Sequence, residues 1–408
     1  MKAVVIALAL MAPAAFGATR TWIAKHAGMW SDAATWNGGV PLAGDDVALT
    51  GSSTNDLPPG LEIHSIRIVG GTVISGNEIV LGAGGFNDST HFFVPIARDQ
   101  AMFSKITLAS SQTWADDGDP PETTMIAPTN LNGATLTLVN THFIIQSISG
   151  SGGIVINSGS NSIEASTFTG PITINGGWLD FTGRSLGALT VKPGGTFIVS
   201  DSPVTSGSIA FDTASGQPAG FRVFARFLTL PTIHVTGSVA LQNAVLDLTI
   251  SYEGLPAGTP VPLINNDDFD PIAGTFLGLA EGAIINNGHG QSFRISYIGG
   301  DGNDVTLTML ASPALSTTTS IVSSTNGQIV TVTASVTGAQ GQGNVTFYDG
   351  GVLLGTSSLD GSGHAMLATR LPVGAHVITA AYSGTQTIAT SQGTLALTIR
   401  QPRLRAVR

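Results

Sequence analysis

The chain has no cysteine, which excludes disulfides, thiol nucleophiles and thiolate-ligated metals. Charge is scarce as well: Asp, Glu, Lys and Arg make up 10% of its 408 residues, against a usual ~25%. What charge there is sums to −10, a balance that repels a phosphate backbone and argues against nucleic acid as a partner. Apolar residues spaced three and four apart are almost absent, so helices are not expected. Against these shortages stand 52 glycines and 42% hydrophobic residues, the composition of short buried strands joined by many turns. The expectation is an all-β protein, with chain enough for two or three domains.

Long hydrophobic runs are missing too, apart from one at the start. Lys2 precedes an apolar stretch from Ala3 to Phe16, and Ala15 and Gly17 are small residues at the two positions a signal peptidase reads, so cleavage is expected after Gly17. The run is shorter than the about twenty residues a membrane helix needs. With no second span downstream, the mature chain is expected to be secreted or held at the cell surface. Exported without disulfides, it must keep its shape through hydrogen-bonded sheet and stacked apolar side chains. At the far end Arg400, Arg403, Arg405 and Arg408 form a basic, solvated tail.

Between about 60 and 310 the chain alternates short apolar runs with Gly, Asn and Ser. Ile63 to Val69, Val73 to Ile74, Ile79 to Leu81, Ile106 to Leu108, Ala134 to Val139, Ile154 to Ile156, Ile172 to Ile174 and Leu189 to Val191 each predict a strand. Strands this short, with no helices to make crossovers, suggest coils stacked in a solenoid of ragged period. Further on, Val345 to Tyr348, a turn at Asp349 to Gly351, Val352 to Leu354, His364 to Ala368 and His376 to Tyr382 predict the hairpins of a β-sandwich.

Asn344 to Gly355, Leu371 to His376 and Ala381 to Gly384 resemble the bacterial Ig-like repeat domain of extracellular proteins, over about 316–399. Members usually follow Tyr-Ser-Gly with an acid and an Asn, where this chain has Thr385, Gln386 and Thr387, so no role of that acid carries over. The resemblance implies a spacer or adhesive module, and the fold alone assigns no activity. Ser111 to Trp114, Ile148 to Gly153 and Thr167 to Asp180 resemble the strand repeat of autotransporter passenger regions. Val261 to Asp267, Gly274 to Phe276, Gly278 to Leu279 and Phe293 to Asp304 resemble the closing segment of such proteins. Trp22, Gly28 to Asp32, Trp36, Gly39 to Pro41 and Gly44 to Val47 are similar to an N-terminal motif of secreted β-helical surface proteins. Together these cover about 20–310 and imply a right-handed parallel β-helix. An autotransporter ends in a membrane barrel, and here the Ig-like module stands in that place. The expected organisation is a signal peptide at 1–17, a β-helix (solenoid) at 18–310, a linker at 311–318, an Ig-like β-sandwich at 319–399 and a basic tail at 400–408.

No catalytic or cofactor-binding residue is expected. The eight histidines are scattered without zinc-site spacing, and neither a Gly-x-Ser-x-Gly elbow nor a phosphate loop occurs. Carboxylates gather at Asp116, Asp117, Asp119 and Glu122 and at Asp267, Asp268 and Asp270; neighbouring Pro and Gly make these solvated turns, with an acid pair or ion site as the alternative. Gly299 to Asp304 reads Gly-Gly-Asp-Gly-Asn-Asp, the opening of calcium-binding nonapeptide repeats, and makes Asp301 and Asp304 the calcium candidates. A single copy also reads as a tight turn between Phe293–Tyr297 and Val305–Thr308. Trp22, Trp30 and Trp36 are ligand-binding candidates, as a stacking platform for sugar, or else a plug closing the sheet stack. Trp114 and Trp178 read as core or stack positions.

Two functions follow. The first is a secreted structural or adhesin-like protein, non-catalytic, presenting an Ig-like module on a β-helical rod to an extracellular glycan or cell-surface ligand. The second is a polysaccharide-acting β-helix enzyme, hydrolase or lyase, with an Ig-like accessory domain. Between residues 100 and 250 the bases are only Lys105, Arg184, Lys192, Arg222 and Arg226, which argues against a lyase cleft.

Overall fold

The computed structural model describes residues 17–400 except 25, 70–72, 90–99, 118–122, 165, 201, 213–216, 226–229, 251–256, 268–269, 288–290, 311–314 and 386–387. The signal peptide up to Phe16, the basic tail beyond Arg400, and Asp119, Glu122, Asp268 and Arg226 lie outside the described residues. Every regular element described is a β-strand, apart from one 3₁₀ turn at Ala33–Thr35. No helix among the described residues is long and apolar enough to cross a membrane. The chain divides after Asn130 into two compact units, inside the stretch read from sequence as one domain.

The first unit is built on two parallel ladders. One runs through Thr19–Trp22, Asp46–Leu49, Leu61–Ile68 and Ile79–Asp88. Its last strand pairs with two successors, Ile106–Leu108 and Gln112–Asp116. The other runs through Gly28–Met29, Ser53–Asn55, Val73–Gly76, Gln100–Phe103 and Thr124–Ile126. Alternation at period two sends every second residue inward, and in-register pairing sets each inward residue on its partner. Val47, Ile66, Phe86 and Trp114 form one such column, all buried. The column beside it starts as Leu49 and Ile68 and ends in two buried carboxylates, Asp88 and Asp116.

The second unit repeats the scheme with three ladders. The first links Thr135–Val139, Gly153–Ile156, Ile172–Ile174, Leu189–Val191, Ile209–Phe211 and Val239–Ala240. The second links Phe143–Ile145, Ser160–Ile163, Gly177–Phe181, Gly195–Ser200, Gly220–Ala225 and Val245–Ile250. The third begins as bridges Thr167–Ser185–Thr205 and continues through Val204–Ser206, Ile233–Val235 and Pro260–Asn266. Leu136, Ile154, Ile172, Leu189, Ile209 and Val239 stack as one buried column. Polar residues stack too: Asn175 Nδ2 donates to Asn157 Oδ1 at 2.8 Å, and Thr141 Oγ1 donates to the buried Asn161 Oδ1 at 2.7 Å. The repeat that looks ragged in sequence is regular at first. Its offset is 18 residues between Asn157 and Asn175, widening to 25 between Arg222 and Asp247 and 31 between His234 and Asn265 as the segments between strands lengthen.

Parallel order then gives way to an antiparallel meander in which Pro260–Asn266 pairs with Asp304–Met309, that with Ser292–Gly299, and that with Ile284–Asn286. The C-terminal Ig-like domain follows as two sheets. Thr318–Asn326, Ile329–Thr337 and His364–Arg370 make one; Val352–Ser358, Asn344–Asp349, Gly374–Tyr382 and Ser391–Ile399 make the other. Between them lie Val330, Val332, Phe347, Ile378 and Tyr382, whose hydroxyl donates to the Gln342 carbonyl at 2.7 Å. Of the expected linker, 311–314 lie outside the described residues, and Leu315 already bridges to Ile388 within the sandwich. The domain is docked on the meander. Leu277 packs with Tyr348 and Ala381, and the Thr390 N–H donates to the Ile284 carbonyl at 2.7 Å. Gly278 is required there, since a Cβ would lie 2.4 Å from the Ala381 Cβ.

Two outcomes are expected. Ile172→Ala empties a buried position in the middle of a six-residue column and should cost about 2–5 kcal/mol, read as a fall in the denaturation midpoint of the full chain. The second concerns His376, whose ring nitrogens bond Asp349 Oδ2 at 2.6 Å and the Pro372 carbonyl at 2.9 Å. Burial alone lowers its pKa, but those two acceptors favour the imidazolium and hold the value above the ordinary 6.5. A raised folded-state pKa means the stabilisation is fully present below about pH 6.5 and is lost as pH rises through the raised value. Thermal unfolding of the Ig-like domain should therefore shift downward across that window in the wild type and stay flat in His376→Asn.

Candidate functional site

The three N-terminal tryptophans are brought together and buried. Trp22, Trp30 and Trp36 are 1%, 0% and 4% exposed, and Trp36 meets the other two edge-on at centroid distances of 5.0 and 5.5 Å. Trp30 Nε1 donates to Ser53 Oγ and Trp36 Nε1 to the Trp30 carbonyl. With their faces covered by one another, they offer no open ring to a sugar, which corrects the platform reading of these residues.

Asp301 and Asp304 sit at the two ends of a turn. Ser292–Gly299 and Asp304–Met309 pair antiparallel, and the Gly302 N–H donates to the Gly299 carbonyl at 2.8 Å to close the reversal. Gly300 must be glycine, because a Cβ there would lie 1.8 Å from Asp304 Oδ2. Asp301 is exposed, whereas Asp304 is buried and accepts from the Asn266 backbone N–H at 2.9 Å and from Asn265 Nδ2 at 3.4 Å. Burial raises the Asp304 pKa, the Asn266 bond opposes that, and the nearby Asp301 charge adds to the rise. The two carboxylates therefore differ in environment, and the buried one ties the turn to the neighbouring strand.

The first acid cluster does not stand as a simple solvated turn. Asp117 is exposed, but Asp116 is 4% exposed and pairs in register with Asp88, which is 1% exposed and accepts from Thr124 Oγ1 at 2.5 Å. The turn reading of Asp116 is thereby corrected: period-two alternation carries it inward behind Trp114. Asp267 and Asp270 contribute backbone carbonyls, which accept from Asn303 Nδ2 at 3.2 and 3.1 Å. Among the described residues no group of three or more His, Asp or Glu side chains is placed to hold a metal ion.

The outward face of the second unit's second ladder holds what sequence reading missed. Trp114 is fully buried as expected, but Trp178 is 40% exposed. The signal was in the alternation of Gly177–Phe181: Leu179 and Phe181 are both 0% exposed, so Trp178 and Asp180 must face out. Trp178 pairs in register with Thr196, and Thr196 lines a groove of about 230 Å³ with Gly194, Pro218, Gly220, Arg222 and Asp247. Arg222 Nε donates to Asp247 Oδ2 at 2.7 Å across neighbouring strands, and the pair remains about half exposed. A second groove of about 470 Å³, lined by Arg184, Ser202, Thr205 and His234, lies where the third ladder begins.

An all-β chain of parallel ladders closing in a two-sheet sandwich is the class that these features define. Residues 315–400 match the bacterial Ig-like domain (group 3) family, which identifies the sandwich. Comparison of the chain with curated proteins and with solved structures gives no match.

Because Asp304 already commits both oxygens to Asn265 and Asn266, chelator should leave the melting temperature of the chain unchanged. A fall of several degrees in chelator, restored by calcium, would place a cation at Asp301 and Asp304.

Proposed function

We propose that the chain is an exported, non-catalytic structural or adhesive protein of the cell exterior, in which a right-handed parallel β-helix carries the Ig-like domain. The observation that carries this reading is the in-register parallel stacking at an 18-residue offset in a chain whose C-terminus matches a bacterial Ig-like family. Thr167 to Asp180, the segment resembling the passenger strand repeat, supports it further. That one segment contributes to the third ladder at Thr167, the first at Ile172–Ile174 and the second from Gly177, the succession that one turn of such a helix would have. Right-handedness is the usual hand of parallel crossovers.

Export rests on the apolar leader, and the first described residues suit its removal. Ala18 N lies 2.8 Å from Asp45 Oδ1, a buried carboxylate that also accepts from Arg20 Nε at 2.6 Å and the Leu42 N–H at 2.9 Å. Cleavage after Gly17 turns the Ala18 amide into an ammonium already facing that carboxylate.

The full chain expressed in a bacterial host should be recovered outside the cytoplasm with Ala18 at its N-terminus by terminal sequencing, and should release no reducing ends or unsaturated products from a polysaccharide panel. Retention in the cytoplasm overturns the export reading. Polysaccharide cleavage would move the protein to the enzyme class.

A further inference from the structure

We infer that the outward face around Trp178 is a binding site for a neutral oligosaccharide, lying across the strands Gly177–Phe181, Gly195–Ser200, Gly220–Ala225 and Val245–Ile250. Four tryptophans, Trp22, Trp30, Trp36 and Trp114, are at most 4% exposed, and Trp178 departs from them at 40%. Its neighbours in register are Ser160 and Thr196, both short, so nothing large crowds the indole from either adjoining strand. Beyond Thr196 the same row continues as Gly220, which has no side chain. A Cβ at Gly220 would lie 2.6 Å from Thr196 Oγ1, so glycine here both permits the close approach and leaves the floor of the groove open. With neighbouring strands about 4.8 Å apart, Trp178 and Gly220 are separated by roughly 10 Å, enough for more than one pyranose ring.

The chemistry of the lining selects the ligand. A pyranose has an apolar C–H face that stacks on an indole, and hydroxyls that both donate and accept. Arg222 and Asp247, paired at 2.7 Å on adjacent strands, present a donor fork and an acceptor side by side to vicinal hydroxyls. Thr196 adds a hydroxyl. Asp180, two residues along the same outward face from Trp178, accepts from Ser200 Oγ at 2.9 Å. With Arg222 balanced by Asp247 and a chain charge of −10, an anionic glycan is repelled and an uncharged one is not. Trp178 and the Arg222–Asp247 pair are the binding residues; no bond is made or broken.

The inference deepens the proposed function by naming its ligand class, yet a chain that is exported and binds no oligosaccharide would sink this inference and leave export standing. The test is calorimetric titration of the full chain with cellohexaose, xylohexaose and mannohexaose, with a galacturonic acid oligomer as the anionic comparison. At least one neutral oligosaccharide should bind and should protect Trp178 from iodide quenching. Trp178→Ala should weaken that binding at least tenfold and the near-isosteric Asp247→Asn several-fold, both with an unchanged melting temperature. Val322→Ser, on the Ig-like domain, should bind as the wild type does. Absence of binding to all three neutral probes, preference for the uronate, or full affinity in both Trp178→Ala and Asp247→Asn would each overturn the assignment.

Discussion

In a parallel ladder each residue lies about 4.8 Å from the residue it pairs with, so every side chain is packed chiefly against its counterpart one turn away. Slippage by a single position would turn the column of Leu136, Ile154, Ile172, Leu189, Ile209 and Val239 out to solvent and bring Thr137, Val155 and Thr173 in. That penalty fixes the register, and the register in turn fixes which polar groups meet. Asn157 meets Asn175 and Thr141 meets Asn161 only because their strands are held in step. A parallel sheet is commonly covered by helices on both faces. Here one face of each ladder is core and the other presents a row of residues to the outside, so the outer row is free to vary in chemistry while the inner column is not.

This division explains what could be read without coordinates. The strand from Ile106 to Leu108, and those from Ile172 to Ile174 and Leu189 to Val191, appear where their apolar runs and bounding turns predict, because burial is decided locally by alternation. The hairpins of the Ig-like domain were equally legible, with Asp349 facing Val352 across Gly350 and Gly351, both at positive φ. Partnership between distant strands was not. Offsets of 18, 25 and 31 residues obey no single period, and only the folded chain shows that the added residues fall between strands and leave the columns aligned. The parallel-to-antiparallel change at Pro260–Asn266 also has no local signature.

The candidate site illustrates the same limit from the other side. Tryptophan, by size and composition, reads as core wherever it occurs among apolar neighbours, and for Trp22, Trp30, Trp36 and Trp114 burial is what the structure has. Trp178 is distinguished by phase alone, and its meaning depends on Gly220, Arg222 and Asp247, more than forty positions downstream at the nearest. Asp116 errs in the opposite sense: a carboxylate beside Gly118 suggested solvent, yet strand phase draws it inward beside Asp88. Phase, not residue type, decides both.

The seating of the Ig-like domain also bears on force. A load applied to the sandwich reaches the meander through the Leu277–Tyr348 contact and the Thr390–Ile284 hydrogen bond as well as along the covalent chain. Gly278 against Ala381 lets the two backbones close that contact without a gap. Under tension these contacts therefore share the load with the covalent chain.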